Sequence, residues 1–150
     1  MKIELPCFQQ EQDHTCLPAC VRIVLHQLGI QLTELEIGRA CQTTPLGTDR
    51  EIAAAGLSGL GYKITQLQDA PFATISHFIQ QHKPVIVFLN VSLLPYARTA
   101  AGTHAVVVND CGTEEVSFID PARGEEIEIS SETFIRAWQD RGCRGLVVEL

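Results

Sequence analysis

The spacing of apolar residues changes character at Pro84, and that change restricts the chain to folds that combine helices with sheet. Before it, Leu17, Cys20, Val21, Val24, Leu25 and Leu28 recur at i, i+3, i+4, i+7, i+8 and i+11, one face of an amphipathic helix. After it, Val85-Ile86-Val87-Phe88-Leu89 is an unbroken run of branched and aromatic residues that suits a buried strand. Helices first and mainly antiparallel strands afterwards make an α+β fold, with the N-terminal helical half packed on the C-terminal sheet. Without a repeat or a linker, residues 1–150 read as one domain.

Local signals place the remaining elements. Pro18 fits a first helical turn, where a missing amide hydrogen removes no bond, so the first helix begins at about Cys16 and stops at Gly29. Thr33 with Glu36 forms a capping box, with Leu32 and Ile37 at the staple positions, and leads a helix to about Cys41. Thr48 with Glu51 repeats the device for a helix towards Gly59 or Gly61, and Tyr62 to Leu67 follows as a short strand. Pro71 opens a helix with Phe72, Ile75, Phe78 and Ile79 on one side. Ala105 to Asn109 and Val116 to Ile119 read as a hairpin closed by Asp110-Cys111-Gly112-Thr113-Glu114, and Asp120-Pro121-Ala122-Arg123-Gly124 as the next turn. Glu126 to Ile129 alternates like a half-exposed strand, Phe134 to Trp138 suggests a short helix, and Gly145 to Leu150 a closing strand.

A formal charge of −7, with Lys and Arg scattered singly, speaks against nucleic acid as a partner and favours a positively charged or apolar peptide. Pro6 and Glu4 interrupt the segment where an export signal needs an unbroken apolar stretch, and no apolar run approaches the length of a membrane span. Six cysteines without an export signal point to a reducing, cytoplasmic compartment and not to a disulfide framework. His14, Cys16, Cys20 and His26 stand at nearly helical intervals but match no metal motif, so neither metal nor cofactor is expected.

A hairpin that closes symmetrically about Gly112 pairs residues whose numbers sum to 224, which sets His104 directly across from Asp120. Alternation then puts His104, Val106 and Val108 on one face with Val116, Phe118 and Asp120. An imidazole and a carboxylate together at the rim of a core are what a catalytic base and its orienting partner require. Cys16, at a helix N-terminus, lies where partial positive charge favours the thiolate. The amide of Cys16 and the side chain of Gln10, six residues upstream, are candidate donors to an oxyanion, with Gln9 and Gln12 as alternatives in the same segment.

Four segments in this order resemble the double-glycine leader peptidases, papain-like cysteine peptidases found at the N-terminus of bacteriocin-exporting ABC transporters. Gln10-Glu11-Gln12-Asp13-His14-Thr15-Cys16 with Leu17-Pro18-Ala19-Cys20 is similar to the family's nucleophile segment, and Gly47-Thr48 through Gly61-Tyr62 to its middle segment. Gly102-Thr103-His104-Ala105-Val106-Val107-Val108 resembles its histidine strand, and Ile119-Asp120-Pro121-Ala122-Arg123-Gly124 its aspartate turn. The resemblance implies Cys16 as nucleophile, His104 as base, Asp120 as its orienting partner and Gln10 in the oxyanion hole. Thr15 and Leu17 depart from it, because the family commonly carries aspartate before the cysteine and glycine after it. The family's membrane and ATPase domains have no counterpart here, so coupling of cleavage to export is expected to need a separate transporter.

Singly, each residue reads blandly: Cys16 as a core thiol, His104 as a strand histidine, Asp120 as a turn residue. Cys7, Cys20, Cys41, Cys111 and Cys143 read as structural, and Trp138 as a core anchor. Together, Gln10, Cys16, His104 and Asp120 point to a cysteine peptidase acting on a peptide or protein substrate. The same four residues also suit acyl or amide transfer to an amine, and the Thr15 and Leu17 departures suit a non-catalytic peptide-binding module of the same fold.

Overall fold

In the computed structural model, which describes residues 2–97 and 100–150, the first helix begins at the predicted nucleophile. Met1, the first residue of the predicted domain, lies outside the described residues, as do Arg98 and Thr99. Helix α1 spans Cys16–Gln27 and ends before Gly29, whose φ of 85° only a residue without a side chain adopts freely. It is buried more widely than one apolar stripe, since Ala19 and Ile23 are as enclosed as Leu25. The reason is its position between a sheet and two further helices. Of these, α2 (Glu34–Ala40) carries the predicted capping box, with Thr33 Oγ1 accepting from Glu36 N at 3.1 Å and Glu36 Oε1 from Thr33 N at 3.2 Å. Helix α3 (Arg50–Gly59) crosses α2 at Gly56, where a Cβ would stand 1.9 Å from the carbonyl oxygen of Ala40.

The α3 cap differs from the sequence expectation. Asp49, not Thr48, accepts from the Ile52 amide at 3.0 Å, while Thr48 shares a hydrogen bond with Thr43 at 2.7 Å. A carboxylate one residue further on takes the position because it is the stronger acceptor and favours the positive end of the helix.

Strand β1 (Lys63–Leu67), helix α4 (Phe72–Gln80) and strand β2 (Val85–Asn90) follow, then a short 3₁₀ turn at Val91–Leu93. The chain continues through β3 (Thr103–Cys111), β4 (Glu115–Asp120), β5 (Glu125–Ser130), α5 (Ser131–Gln139) and β6 (Gly145–Glu149). The six strands form one sheet in the order β1-β6-β2-β3-β4-β5, antiparallel at every junction. Helices α1, α2 and α3 cover one face, around Leu17, Val24, Leu57, Ala105, Val107 and Ile119. Helices α4 and α5 cover the other with Ile75, Phe134 and Trp138 against Val106, Val108 and Phe118. The sheet is thus buried on both sides, which explains why β2 reads as a continuous apolar run without alternation. Among the described residues no helix is long and apolar enough to cross a membrane.

The hairpin between β3 and β4 closes in a different register from the symmetric one. Cys111 pairs with Val116 and Asp110 with Ser117, numbers that sum to 227, whereas Val108 pairs with Phe118 and Val107 with Ile119, which sum to 226. The change is a β-bulge at Asn109, an extra residue on β3. It is held from outside the hairpin: the amide of Ile3 donates to the Asn109 carbonyl at 2.9 Å, and the Asn109 side chain donates to Ile3 O at 3.1 Å and Glu126 Oε1 at 2.7 Å. Extending the bulged register by one step sets Asp120 opposite Val106, so His104 meets it diagonally and not directly across. The expected and observed sums differ by two, so the predicted face is preserved.

Candidate active site

Three elements converge at one end of the sheet. The N-terminus of α1 presents Cys16, the start of β3 presents His104, and the last residue of β4 is Asp120. All three line one cleft of about 430 Å³, and Gln10 lines it too. The four predicted site residues are therefore brought together.

His104 Nε2 and Asp120 Oδ1 are 2.6 Å apart, with side chains 12% and 3% exposed. The other ring nitrogen, Nδ1, is left free of Asp120 for an interaction with Cys16, which lines the same cleft. Burial works to lower the His104 pKa, but the hydrogen bonds and charges of Asp120 and Cys16 outweigh it and hold it up at about 9. Burial likewise works to raise the Cys16 thiol, yet the hydrogen bond and charge of His104, with the backbone N–H groups of Ala105 and Leu17, bring it below the ordinary value. The two shifts together favour a thiolate–imidazolium pair. Cys20, one turn along α1, shows the contrast: burial drives its thiol well up, with no cation to oppose it. Cys41 is pushed up to about 11 by burial alone.

Asp120 is enclosed, and both of its carboxylate oxygens accept hydrogen bonds. Oδ1 also accepts from the Ala122 amide at 2.9 Å, and Oδ2 accepts from the Tyr96 hydroxyl at 2.6 Å. Burial raises the carboxyl, and these donors with His104 more than reverse it, so Asp120 stays ionised below its ordinary range. Tyr96 went unrecognised in the sequence because it lies in the irregular stretch between β2 and β3, where no periodicity marks a role. Its only signal is an aromatic ring with a polar tip, and buried rings of that kind find a partner. The Arg123 guanidinium sits 5.3 Å over the Tyr96 ring, closing the chain of contacts back onto the aspartate turn. Tyr96→Phe is expected to lower the rate of any Cys16-dependent reaction by about tenfold, the weight of one hydrogen bond to a charged group. Steady-state kinetics with an unchanged melting temperature would check it, and an unaltered rate would remove Tyr96 from the site.

The loop before Cys16 is built to hold its shape. Thr15 does not cap α1; its hydroxyl donates to Gln12 O at 2.9 Å and accepts from Gln12 N at 3.1 Å. Glu34, buried on α2, accepts from the Glu11 amide at 2.8 Å, and the Gln10 amide donates to Pro121 O at 2.7 Å, tying the nucleophile loop to the aspartate turn. The Gln10 side chain donates to Gln12 O at 2.7 Å and to Asp13 O at 3.2 Å, and its Oε1 is enclosed without a partner among the described residues. Gln9 points elsewhere, donating to Ala122 O at 3.3 Å. Thr15 and Leu17, where the chain departs from the resembled pattern, are 8% and 2% exposed and neither lines the cleft.

The remaining sulfur and imidazole groups do not converge. His26 packs edge-on against Phe8 at 5.2 Å between ring centroids, and Cys20 lies in the core. Among the described residues no group of three metal-ligating side chains gathers, and the six cysteines are unpaired, Cys7 at the surface. Trp138 is the core anchor expected, with its ring N–H donating to Arg144 O at 3.0 Å.

This fold, a helix N-terminus bearing a cysteine against a sheet bearing histidine and aspartate, is that of the papain-like cysteine peptidases. The chain belongs to the Peptidase C39 family, whose sequence profile matches residues 4–142. Its structure is similar to the peptidase domain of Streptococcus ComA, a bifunctional ABC transporter of a quorum-sensing pathway, with a TM-score of 0.76 and 16% identity over 98% of both chains. A double-glycine-motif protease from an AMS/PCAT transporter, solved with its leader peptide, gives a TM-score of 0.72 and 17% identity, covering 99% of this chain and 93% of that one. A C39-like protein from Bacillus anthracis gives 0.75 and 14%, covering 100% and 98%. At these identities the likeness concerns the fold. Among curated proteins no sequence matches.

Proposed function

We propose that the protein is an active cysteine peptidase that cleaves a peptide bond after a double-glycine-type leader, with Cys16, His104, Asp120 and Gln10 as its machinery. The observation that carries this reading is the chain from the Cys16 thiol through His104 to an Asp120 held by three donors, open to one cleft. The thiolate attacks the substrate carbonyl carbon, and its oxygen becomes an oxyanion facing the start of α1. The His104 imidazolium then gives its proton to the leaving amine as the C–N bond breaks, leaving a thioester on Cys16. Water attacks the thioester while His104 takes its proton, the acid departs, and the thiolate–imidazolium pair is restored. Asp120 keeps the ring oriented throughout.

Ala97, Ala100, Ala101 and Ala122 line much of the cleft, and their small side chains leave room for an extended peptide to approach Cys16. ComA and the AMS/PCAT protease belong to transporters, so an exported precursor peptide, bacteriocin-like in kind, and a transporter partner fall within the same proposal. A reducing, cytoplasmic setting suits a nucleophile that must remain a free thiol. For Gln10 to serve the oxyanion, its amide must exchange the longer bond, to Asp13 O, for the substrate oxygen. That commitment to loop carbonyls, with the Thr15 and Leu17 departures, favours the silent binding module.

A pH profile separates the two readings. Cys16 labelling by iodoacetamide is expected to reach half its maximum below the ordinary thiol value of 9.0. Peptide hydrolysis is expected to rise with the thiolate and decline near pH 9, where His104 loses its proton. Incubating a Gly-Gly-containing peptide library with the wild type and with Cys16→Ala, and counting new termini by mass spectrometry, tests activity itself. Cleavage that survives the substitution would overturn the proposal.

A further inference from the structure

A second cleft, of about 370 Å³, adjoins the catalytic one, and Thr103 lines both. Its wall brings Arg50, Arg141 and Arg144 together from α3 and from the turn between α5 and β6, beside the ring of Phe88. Three of the chain's eleven basic residues thus meet in one place on a molecule of net charge −7. Asp49 and Glu51 also line it and Asp140 adjoins it through Arg141, so carboxylates match the three arginines in number; of these, Asp49 accepts from the Ile52 amide and Asp140 from Arg141 and Asn90.

The donors of these arginines are unequally occupied. Arg50 bonds Leu67 O at 3.1 Å and Gln68 Oε1 at 3.3 Å, which anchors it in the wall. Arg141 gives one terminal nitrogen to Asp140 at 2.9 Å, while its Nε is enclosed with no acceptor among the described residues. The Arg144 guanidinium has no partner among the described residues, although its backbone carbonyl accepts from Phe88 N and Trp138 Nε1. An enclosed N–H without an acceptor is unfavourable, and a carboxylate is the acceptor whose geometry matches a guanidinium. Phe88 offers an apolar surface for the methylenes that carry such a carboxylate.

We propose that this cleft is a specificity subsite for an acidic side chain, glutamate in particular, of the peptide bound in the catalytic cleft. Its location rests on the peptidase reading. Thr103 immediately precedes His104, so a peptide that passes the imidazole and crosses Thr103 reaches the arginines within about four residues of the scissile bond, at roughly 3.3 Å per extended residue. Net charge alone favours cationic or apolar peptides; here an acidic side chain would meet the two least occupied guanidinium groups of the wall, those of Arg141 and Arg144, and nearby charges dominate within a Debye length.

The test uses peptides acetylated and amidated at their ends, so that a side chain is their only carboxylate, with a central Gly-Gly and one Glu or Gln scanned through four positions on each side. Binding to the full chain carrying Cys16→Ala is read by fluorescence anisotropy, and cleavage by the wild type on the same set. Glu is expected to exceed Gln by about tenfold in affinity at one position or two adjacent ones, weakening with added salt. The preference is expected to fall to about one in Arg144→Gln and in Arg141→Gln, and to persist in Arg22→Gln, whose guanidinium stacks remotely on Phe8 at 4.2 Å. Arg144→Glu is expected to transfer the preference to Lys at that position. No position preferring Glu, a preference indifferent to both arginines, or no binding by any peptide at millimolar concentration would overturn the proposal. A Glu preference without cleavage would sink the peptidase reading and leave the subsite standing; cleavage without the preference would do the reverse.

Discussion

Replacing His104 with alanine is expected to reduce peptide cleavage by about a thousandfold or more while leaving the protein folded. His104 has two roles, and both end with the imidazole. As a proton donor to the leaving amine it contributes about 10² to 10⁴ in rate. As a cation it is the main influence that opposes burial at Cys16, so its removal lets the thiol rise above the ordinary value and the thiolate becomes scarce at neutral pH. The distinguishing measurement is the pH dependence of iodoacetamide labelling, whose midpoint should move up by at least a full unit in the variant. Loss of cleavage with an unmoved labelling curve would show that His104 does not activate the thiol.

Asp120→Ala is expected to be the second most damaging change, and it acts on stability as well as on rate. The Asp120 side chain is 3% exposed and accepts from His104, Tyr96 and Ala122, so its removal leaves three enclosed donors without an acceptor. Breaking a buried charged network of this kind costs about 3 kcal/mol, visible as a fall in melting temperature of several degrees. Asp120→Asn separates the effects. It preserves shape and most of the packing but cannot hold the imidazolium, so the His104 pKa drops from about 9 and the alkaline limb of activity moves to lower pH. Melting near that of the wild type, with a much reduced rate and a shifted limb, is the expected result. An unshifted limb would mean that the carboxylate does not govern His104.

Much of the fold was legible because the relevant signals are local. Pro18 within a run of helical periodicity marks the start of α1 and thereby puts Cys16 at a helix N-terminus. Thr33 and Glu36 satisfy each other within one turn, so nothing distant can alter their meaning. The cap of α3 was misplaced by one residue, since Thr48 and Asp49 are both good caps and only the Thr43 hydroxyl across the loop selects between them. Period-two alternation identifies which face His104 and Asp120 occupy, but the pairing depends on the bulge.

That bulge marks the boundary between the two kinds of information. A ladder continued from the turn in the 227 register would set Asp120 opposite Val107, whose side chain points to the helix α1 side, and would put His104 on the other face. One extra residue, Asn109, restores the match, and it is held by Ile3 and Glu126, neither of which belongs to the hairpin. Tyr96 enters the site from an irregular loop, and the arginine cleft assembles from segments some ninety residues apart in sequence. Local patterning is enough to specify the kinds and order of the elements, the helix that begins at Cys16, and the residue types able to form a thiolate, a base and its orienting acid. Tertiary structure alone decided how they meet: periodicity is a property of neighbours along the chain, whereas register, enclosed hydrogen bonds and converging charges depend on contacts between residues far apart in sequence.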